Sequence, residues 1–196
     1  MAVPLVLAIA PLVFGYWLLV LVFLLVAAFM AFFFRDPRRL PPNEPGLILA
    51  PADGRITLIE RSGDANQTMR VSIFLSPFNV HINRSPIAGN ITGISYAKGK
   101  FLSATSDNAS LLNEQNTLTI EGEGVTVNCK QIAGVLARRI VCWKNREDAV
   151  GIGERFGMIK FGSRTDLTLT SPVELLVRQG MRVRAGETPI ARLLVG

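Results

Sequence analysis

The chain opens on an unbroken apolar stretch and then changes character. From Val3 to Phe34 there is no Asp, Glu, Lys, Arg or His, and the first charge is Arg35. Because about 20 apolar residues in a helix cross a bilayer core, the run from Leu12 to Phe34 predicts a transmembrane helical segment. Pro4, Pro11 and Gly15 are placed to interrupt it, so either one span or a shallow first helix followed by a full one is expected. A secretory signal would show a basic leader, a shorter apolar core and a small-residue cleavage site, and the stretch has none of these. Arg35, Arg38 and Arg39 follow at once, a basic cluster of the kind retained on the cytoplasmic side. The expected arrangement is an anchor in the cell membrane at residues 1–34, with residues 35–196 forming a domain that faces the cytoplasm.

After the anchor the pattern shortens to period two. Pro37, Pro41, Pro42 and Pro45 stiffen a linker from Asp36 to Gly46. Beyond it Thr117–Glu121, Val125–Lys130 and Asp166–Thr170 alternate polar with apolar residues, and Gly and Pro punctuate the chain at short intervals. That spacing predicts a β-sandwich or barrel rather than alternating strands and helices. Ser106 to Asn113 is the expected short helix, with Ser106 or Asp107 as its N-cap. Val177–Ile190 carries Gly180 and Gly186 interleaved with Val177 and Val183, and it resembles the strand-turn units of biotinyl and lipoyl carrier domains. Pro51–Ile56 looks like a matching half. The fold class is therefore mainly β, a barrel-sandwich-hybrid-like domain with few short helices.

Composition narrows the functions open to this domain. The roughly 160 residues outside the apolar stretch suffice for a real core. The net charge of +6 lies wholly on residues 35–196, which suits an anionic membrane surface. No dense Lys/Arg stripe or stacking aromatic cluster points to nucleic acid. Cys129 and Cys142 are too far apart for a CxxC motif, and one histidine in the chain leaves no metal-binding set. Two reduced thiols are the expectation.

Three segments place polar residues inside apolar, turn-rich sequence: Ala50–Gly54 with Asp53, Ser76–Pro86 with His81, and Gly157–Asp166 with Ser163. Each has an ordinary reading as well. Asp-Gly and Gly-Ser are common turns, and a lone histidine is more often structural than catalytic. Together they supply an Asp, a His and a Ser, a set able to activate a hydroxyl nucleophile.

The residues around them resemble the short form of the phosphatidylserine decarboxylase family, archaetidylserine decarboxylases included, from about Phe33 to the C-terminus. The likeness rests on Phe33–Arg38, Pro51–Gly54, Phe78–Arg84, Lys98–Phe101, Ala137–Val141 and Gly153–Arg164, in that order. Asn108 and Gln115 depart from the family pattern, which carries Lys and Arg there. The resemblance implies that Asp53, His81 and Ser163 act as a self-processing triad and that the chain is cut between Gly162 and Ser163. Residues 1–162 and 163–196 would remain associated, and Ser163 would become a covalent pyruvoyl group, with no external cofactor. The pyruvoyl keto group would accept the electrons released when carbon dioxide leaves the serine headgroup of a membrane phospholipid. Arg84, Lys98 and Lys100 are candidate phosphate contacts. Homo-oligomerisation is left open. Two other classes stay in view: a membrane-tethered serine peptidase using the same three residues, although no Gly-x-Ser-x-Gly elbow is present, and a non-enzymatic membrane adaptor on a lipoyl-like barrel, although Val177–Ile190 has no lysine to modify.

Overall fold

A computed structural model describes residues 3–4, 7, 15–61, 68–104, 106, 108–135, 139–160 and 162–194. The chain divides into two compact units, 1–37 and 38–196.

The first unit contains helix α1 (Trp17–Phe33), 17 residues long and so about 25 Å from end to end. Gly15 sits in the left-handed region at φ 73° immediately before it, a turn that sets where the helix starts. The helix is apolar all round, with Trp17 68% and Leu18 74% exposed. No helix among the described residues is long and apolar enough to cross a membrane. Leu12, Val13 and Phe14 of the expected span lie outside the described residues. At the end of the unit Arg35 donates from Nη1 to the Phe32 carbonyl at 2.8 Å and lies 3.9 Å from the centroid of the Phe32 ring.

The second unit is mainly β. Its described strands are β1 (Leu47–Leu49), β2 (Gly54–Arg61), β3 (Met69–Leu75), β4 (Ile82–Arg84), β5 (Gly89–Ala97), β6 (Gln115–Gly122), β7 (Val125–Ile132), β8 (Arg139–Cys142), β9 (Ala149–Val150), β10 (Arg155–Lys160), β11 (Ser163–Leu169), β12 (Val173–Leu175), β13 (Arg182–Val183) and β14 (Pro189–Leu193). They form an eight-stranded sheet in the order β13-β2-β3-β11-β7-β6-β5-β9 and two three-stranded sheets, β4-β10-β8 and β1-β14-β12. The period-two segments fall in β6, β7 and β11 as expected. Their alternation has a direct cause, because one face of each strand meets the core. Leu118, Cys129, Leu167 and Val71 lie side by side across β6, β7, β11 and β3, all buried. The two glycine-punctuated segments also meet: Arg182 pairs with Arg55 and Val183 with Gly54.

Two expectations need correction. The short helix α2 spans only Ala109–Leu112, and its N-cap is Asn108 with no side-chain cap bond. Ser106 contributes its backbone carbonyl instead, accepting from the Ala109 amide at 3.0 Å; Asp107 lies outside the described residues. Arg39 does not belong to the exposed basic cluster, because its guanidinium is buried in ion pairs with Asp53 and Glu187. Both cysteines are free, Cys129 buried and Cys142 half-buried. Burial pushes the Cys129 thiol far above the ordinary thiol range, which makes it unreactive.

β11 lies inside the large sheet, between β3 and β7. Leu167→Ala should cost about 2–5 kcal/mol of stability, measured as a lower denaturation midpoint of the domain. A midpoint within error of the parent would contradict the placement of Leu167 in this core.

Candidate active site

Between β10 and β11 the chain changes sheets. β10 is paired to β4 and β8, whereas β11, starting at Ser163, is paired to β3 and β7. Gly162 makes the crossing at φ 47°, a left-handed conformation that costs a residue with a Cβ about 1 kcal/mol or more. Conformation is the reason for glycine here, since a Cβ built on Gly162 meets nothing within 4 Å. Space matters at Gly134 instead. A Cβ there would stand 2.3 Å from the Gly162 carbonyl oxygen and 3.4 Å from its carbon, so the lack of a side chain at Gly134 makes room for that oxygen. Its neighbour Ala133 is anchored by Asn113, which donates from Nδ2 to the Ala133 carbonyl at 2.8 Å. Asn113 also exchanges two 2.9 Å bonds with the backbone of Leu102, and this brings the Lys98–Phe101 segment alongside. The Lys98 and Lys100 side chains are exposed.

Ser163 is fully buried, and its Oγ makes no hydrogen bond among the described residues. A buried hydroxyl left unsatisfied costs about 1–3 kcal/mol, which a structural serine has no reason to bear. His81 precedes β4 and is also fully buried. Its backbone carbonyl accepts from the Ile159 amide on β10 at 3.3 Å. Its Nδ1 lies 3.0 Å from the Asn79 carbonyl. A carbonyl can only accept, so Nδ1 carries the hydrogen, and in the neutral ring the basic lone pair sits on Nε2. Two residues on, Asn83 donates from Nδ2 to Thr165 Oγ1 at 3.1 Å, and Thr165 is two residues beyond Ser163. This bond therefore draws the segment that carries His81 to the one that carries Ser163.

Asn83 reaches the third segment too, donating from Nδ2 to the Pro51 carbonyl at 3.3 Å. That same carbonyl accepts from the Arg84 amide at 3.0 Å. Behind Asn83 a buried amide chain continues, with Gln131 Nε2 donating to Asn83 Oδ1 at 2.9 Å and Asn116 Nδ2 to Gln131 Oε1 at 3.0 Å.

Asp53 is buried, and both carboxylate oxygens are taken. Oδ2 accepts from Arg39 Nη2 at 2.9 Å and Oδ1 from the Ala185 amide at 2.8 Å. The described bond that orients the His81 ring thus comes from Asn79, while Asp53 is held by Arg39 and Ala185. Burial raises the Asp53 carboxyl above the ordinary aspartate range, and the Ala185 amide and Arg39 pull it part of the way back. Asp53 and Asn79 line one cavity of about 640 Å³, together with Arg55, Arg182, Arg184 and the 70% exposed Phe78. Arg84, expected at a phosphate, is buried, with Nη1 donating to the Gly153 carbonyl at 3.1 Å.

The segments carrying Asp53, His81 and Ser163 are therefore brought together. Arg39, Asn83, Gln131 and Gly134 complete the surroundings without having been singled out by local sequence. Asn83 lies within the Phe78–Arg84 motif and Arg39 in the basic cluster after the apolar stretch, whereas nothing local pointed to Gln131 or Gly134.

A model of the family described as phosphatidylserine decarboxylase matches residues 26–191. Proteins named phosphatidylserine decarboxylase proenzyme align over most of the chain. The one from Solibacter usitatus (strain Ellin6076) is 48% identical over 171 residues, covering 87% of this chain and 82% of its own. That from Ruegeria pomeroyi is 48% identical over 170 residues, with 83% and 78% covered. That from Desulfotalea psychrophila is 42% identical over 182 residues, with 90% and 85% covered. The family match and the names of these relatives make the chain a decarboxylase, a carboxy-lyase. The chain belongs to the phosphatidylserine decarboxylase family, and the peptidase and adaptor readings fall away.

Gly134→Ala should slow any cleavage at Gly162 by about tenfold or more, since its methyl group would stand 2.3 Å from the Gly162 carbonyl oxygen and push that carbonyl out of place. Intact-mass kinetics decide this, and cutting at the parental rate would show that the clearance has no part in the reaction.

Proposed function

We propose that this chain decarboxylates the serine headgroup of phosphatidylserine to give phosphatidylethanolamine, at a pyruvoyl group it makes from Ser163 by cutting its own backbone after Gly162. The observation that carries this reading is a buried Ser163 hydroxyl, with no hydrogen bond among the described residues, next to a left-handed glycine at a change of sheets. The proenzyme names of the relatives support it.

In the cut, Ser163 yields its hydroxyl proton to a base and its oxygen attacks the Gly162 carbonyl. The C–N bond breaks as the C–O bond forms, and the freed nitrogen takes up a proton. Loss of the Ser163 α-proton then expels Gly162 as a carboxylate. Residue 163, now dehydroalanine, gains water and loses ammonia. His81 suits the role of base because its Nδ1 hydrogen is committed to Asn79, which leaves Nε2 to move a proton. Gly162 contributes its conformation, which an ordinary residue would resist. The residues present fit a serine-derived group: the precursor hydroxyl is buried and makes no hydrogen bond among the described residues, beside the left-handed Gly162. When in place, a pyruvoyl group supplies the electron sink for departing carbon dioxide. Arg55, Arg182 and Arg184 around the cavity suit the anionic phosphate of a phospholipid.

The two products are held together by strand pairing, since β11 of residues 163–196 is bonded on both sides to strands of residues 1–162. A barrel-sandwich hybrid is the fold reading supported by the β2–β13 pairing. Residues 1–34 attach the domain to the cytoplasmic face of the cell membrane. Support comes from the exposed all-apolar surface of α1, a pattern that belongs in a core or a bilayer, and from Arg35 and Arg38 beside it.

Purified protein should separate into chains of residues 1–162 and 163–196 under denaturing conditions yet co-elute natively, the smaller chain being blocked to N-terminal sequencing. Ser163→Ala should remain uncut and inactive. Full activity in an unbroken chain would refute the reading. Membrane flotation should recover the full chain with the lipid, and recovery of all of it in the aqueous phase would remove the attachment assigned to residues 1–34.

A further inference from the structure

Arg39 lies in the proline-rich linker, yet its guanidinium is one of the most enclosed charges near the site. Nη2 donates to Asp53 Oδ2 at 2.9 Å and Nη1 to Glu187 Oε2 at 2.7 Å, and only 9% of the side chain is exposed. We propose that Arg39 is a positioning residue of the active site, holding Asp53 as an ionised carboxylate and tying it to Glu187 on the far side of the cleavage point. The proposal rests on Asp53 being a site residue.

The geometry favours the ionised form. Both oxygens of Asp53 face donors, Arg39 on one side and the Ala185 amide on the other. A protonated carboxyl accepts less strongly at the oxygen that carries the hydrogen, so protonation would weaken one of these bonds. Burial works the other way by withdrawing solvation from the charge. The charged groups around Asp53 come from every side: Arg39 in the linker, Arg55 on β2, Arg182 on β13 and Arg184 just after it, and Glu187 before β14. Arg39 is the one bonded to the carboxylate, and Glu187 opposes it as a like charge. Arg39 and Asp53 precede Gly162, whereas Ala185 and Glu187 follow Ser163, so the same bonds join the two chains after the cut.

Removing Arg39 should therefore raise the pH at which Asp53 ionises, and neutralising Glu187 should lower it. Both can be read in the uncut Ser163→Ala chain by carboxyl ¹³C NMR with labelled aspartate, the Asp53 resonance being identified by its loss in Asp53→Asn. We expect Arg39→Met to move the Asp53 midpoint up by about 1 unit or more, Arg39→Lys to move it up by less, and Glu187→Gln to move it down. In the cleavable chain the acid limb of the self-cleavage pH profile should shift in the same directions. If Arg39→Met does not fold, the opposite displacements in Arg39→Lys and Glu187→Gln carry the test. An unmoved Asp53 midpoint, or displacement of both in one direction, would overturn the proposal. A wild-type chain that is never cut, but whose Asp53 titrates as described, would overturn the proposed function and leave standing only the hold of Arg39 on the Asp53 carboxylate.

Discussion

Everything at the site depends on one backbone constraint: the chain must leave one sheet and enter another within the two residues that separate Lys160 from Ser163. Five of the six residues of β10 pair with β4 or β8, and all seven residues of β11 pair with β3 or β7. Neither strand can slide without turning its side chains to the wrong face. The adjustment falls on Gly162, which takes a positive φ. The peptide bond after it is thus gripped from both sides, with its carbonyl lodged against Gly134 and the next hydroxyl enclosed by the core.

Around this bond the domain accepts a cost that a purely structural core would avoid. Asn83, Gln131 and Asn116 form a dry amide chain, and Thr165 joins it. On the opposite face of β11 Arg164 grips Asp166 with two bonds, at 2.6 and 2.9 Å, and reaches Ser72 at 3.0 Å. Such groups are tolerable only when every partner is present, because removing one side of a buried ion pair costs about 3–5 kcal/mol. Their return is definition. A satisfied polar network admits one arrangement where apolar packing admits several, and the proposed attack of the Ser163 hydroxyl on the Gly162 carbonyl needs one arrangement.

How much could be read from the residues in order follows from the range of each effect. Period two in Thr117–Glu121, Val125–Lys130 and Asp166–Thr170 is local, and the strands lie where that period put them. The meeting of Pro51–Ile56 with the tail was legible because each half repeats a turn pattern. Arg39 was not, since one of its partners is 14 residues away and the other 148, and no local feature separates a buried arginine from an exposed one. Gly134 escaped notice for the same reason, because its neighbour in space is the carbonyl of Gly162, remote along the chain. The helix before Asn113 came out shorter because Ser106 turns the backbone with its carbonyl and leaves Asn108 at the cap.

The pairing of β11 between β3 and β7, with β13 against β2 and β14 against β1, bears on how such an enzyme ages. While the polypeptide is continuous, these strands find their partners by closing loops, a search within one molecule. Were it cut after Gly162 as proposed, the same search would become an encounter between two peptides, and the tether that kept their local concentration high would be gone. A cut molecule that fully unfolds would therefore have lost the route by which it was assembled. Its lifetime would be set by how slowly it opens rather than by how readily it refolds.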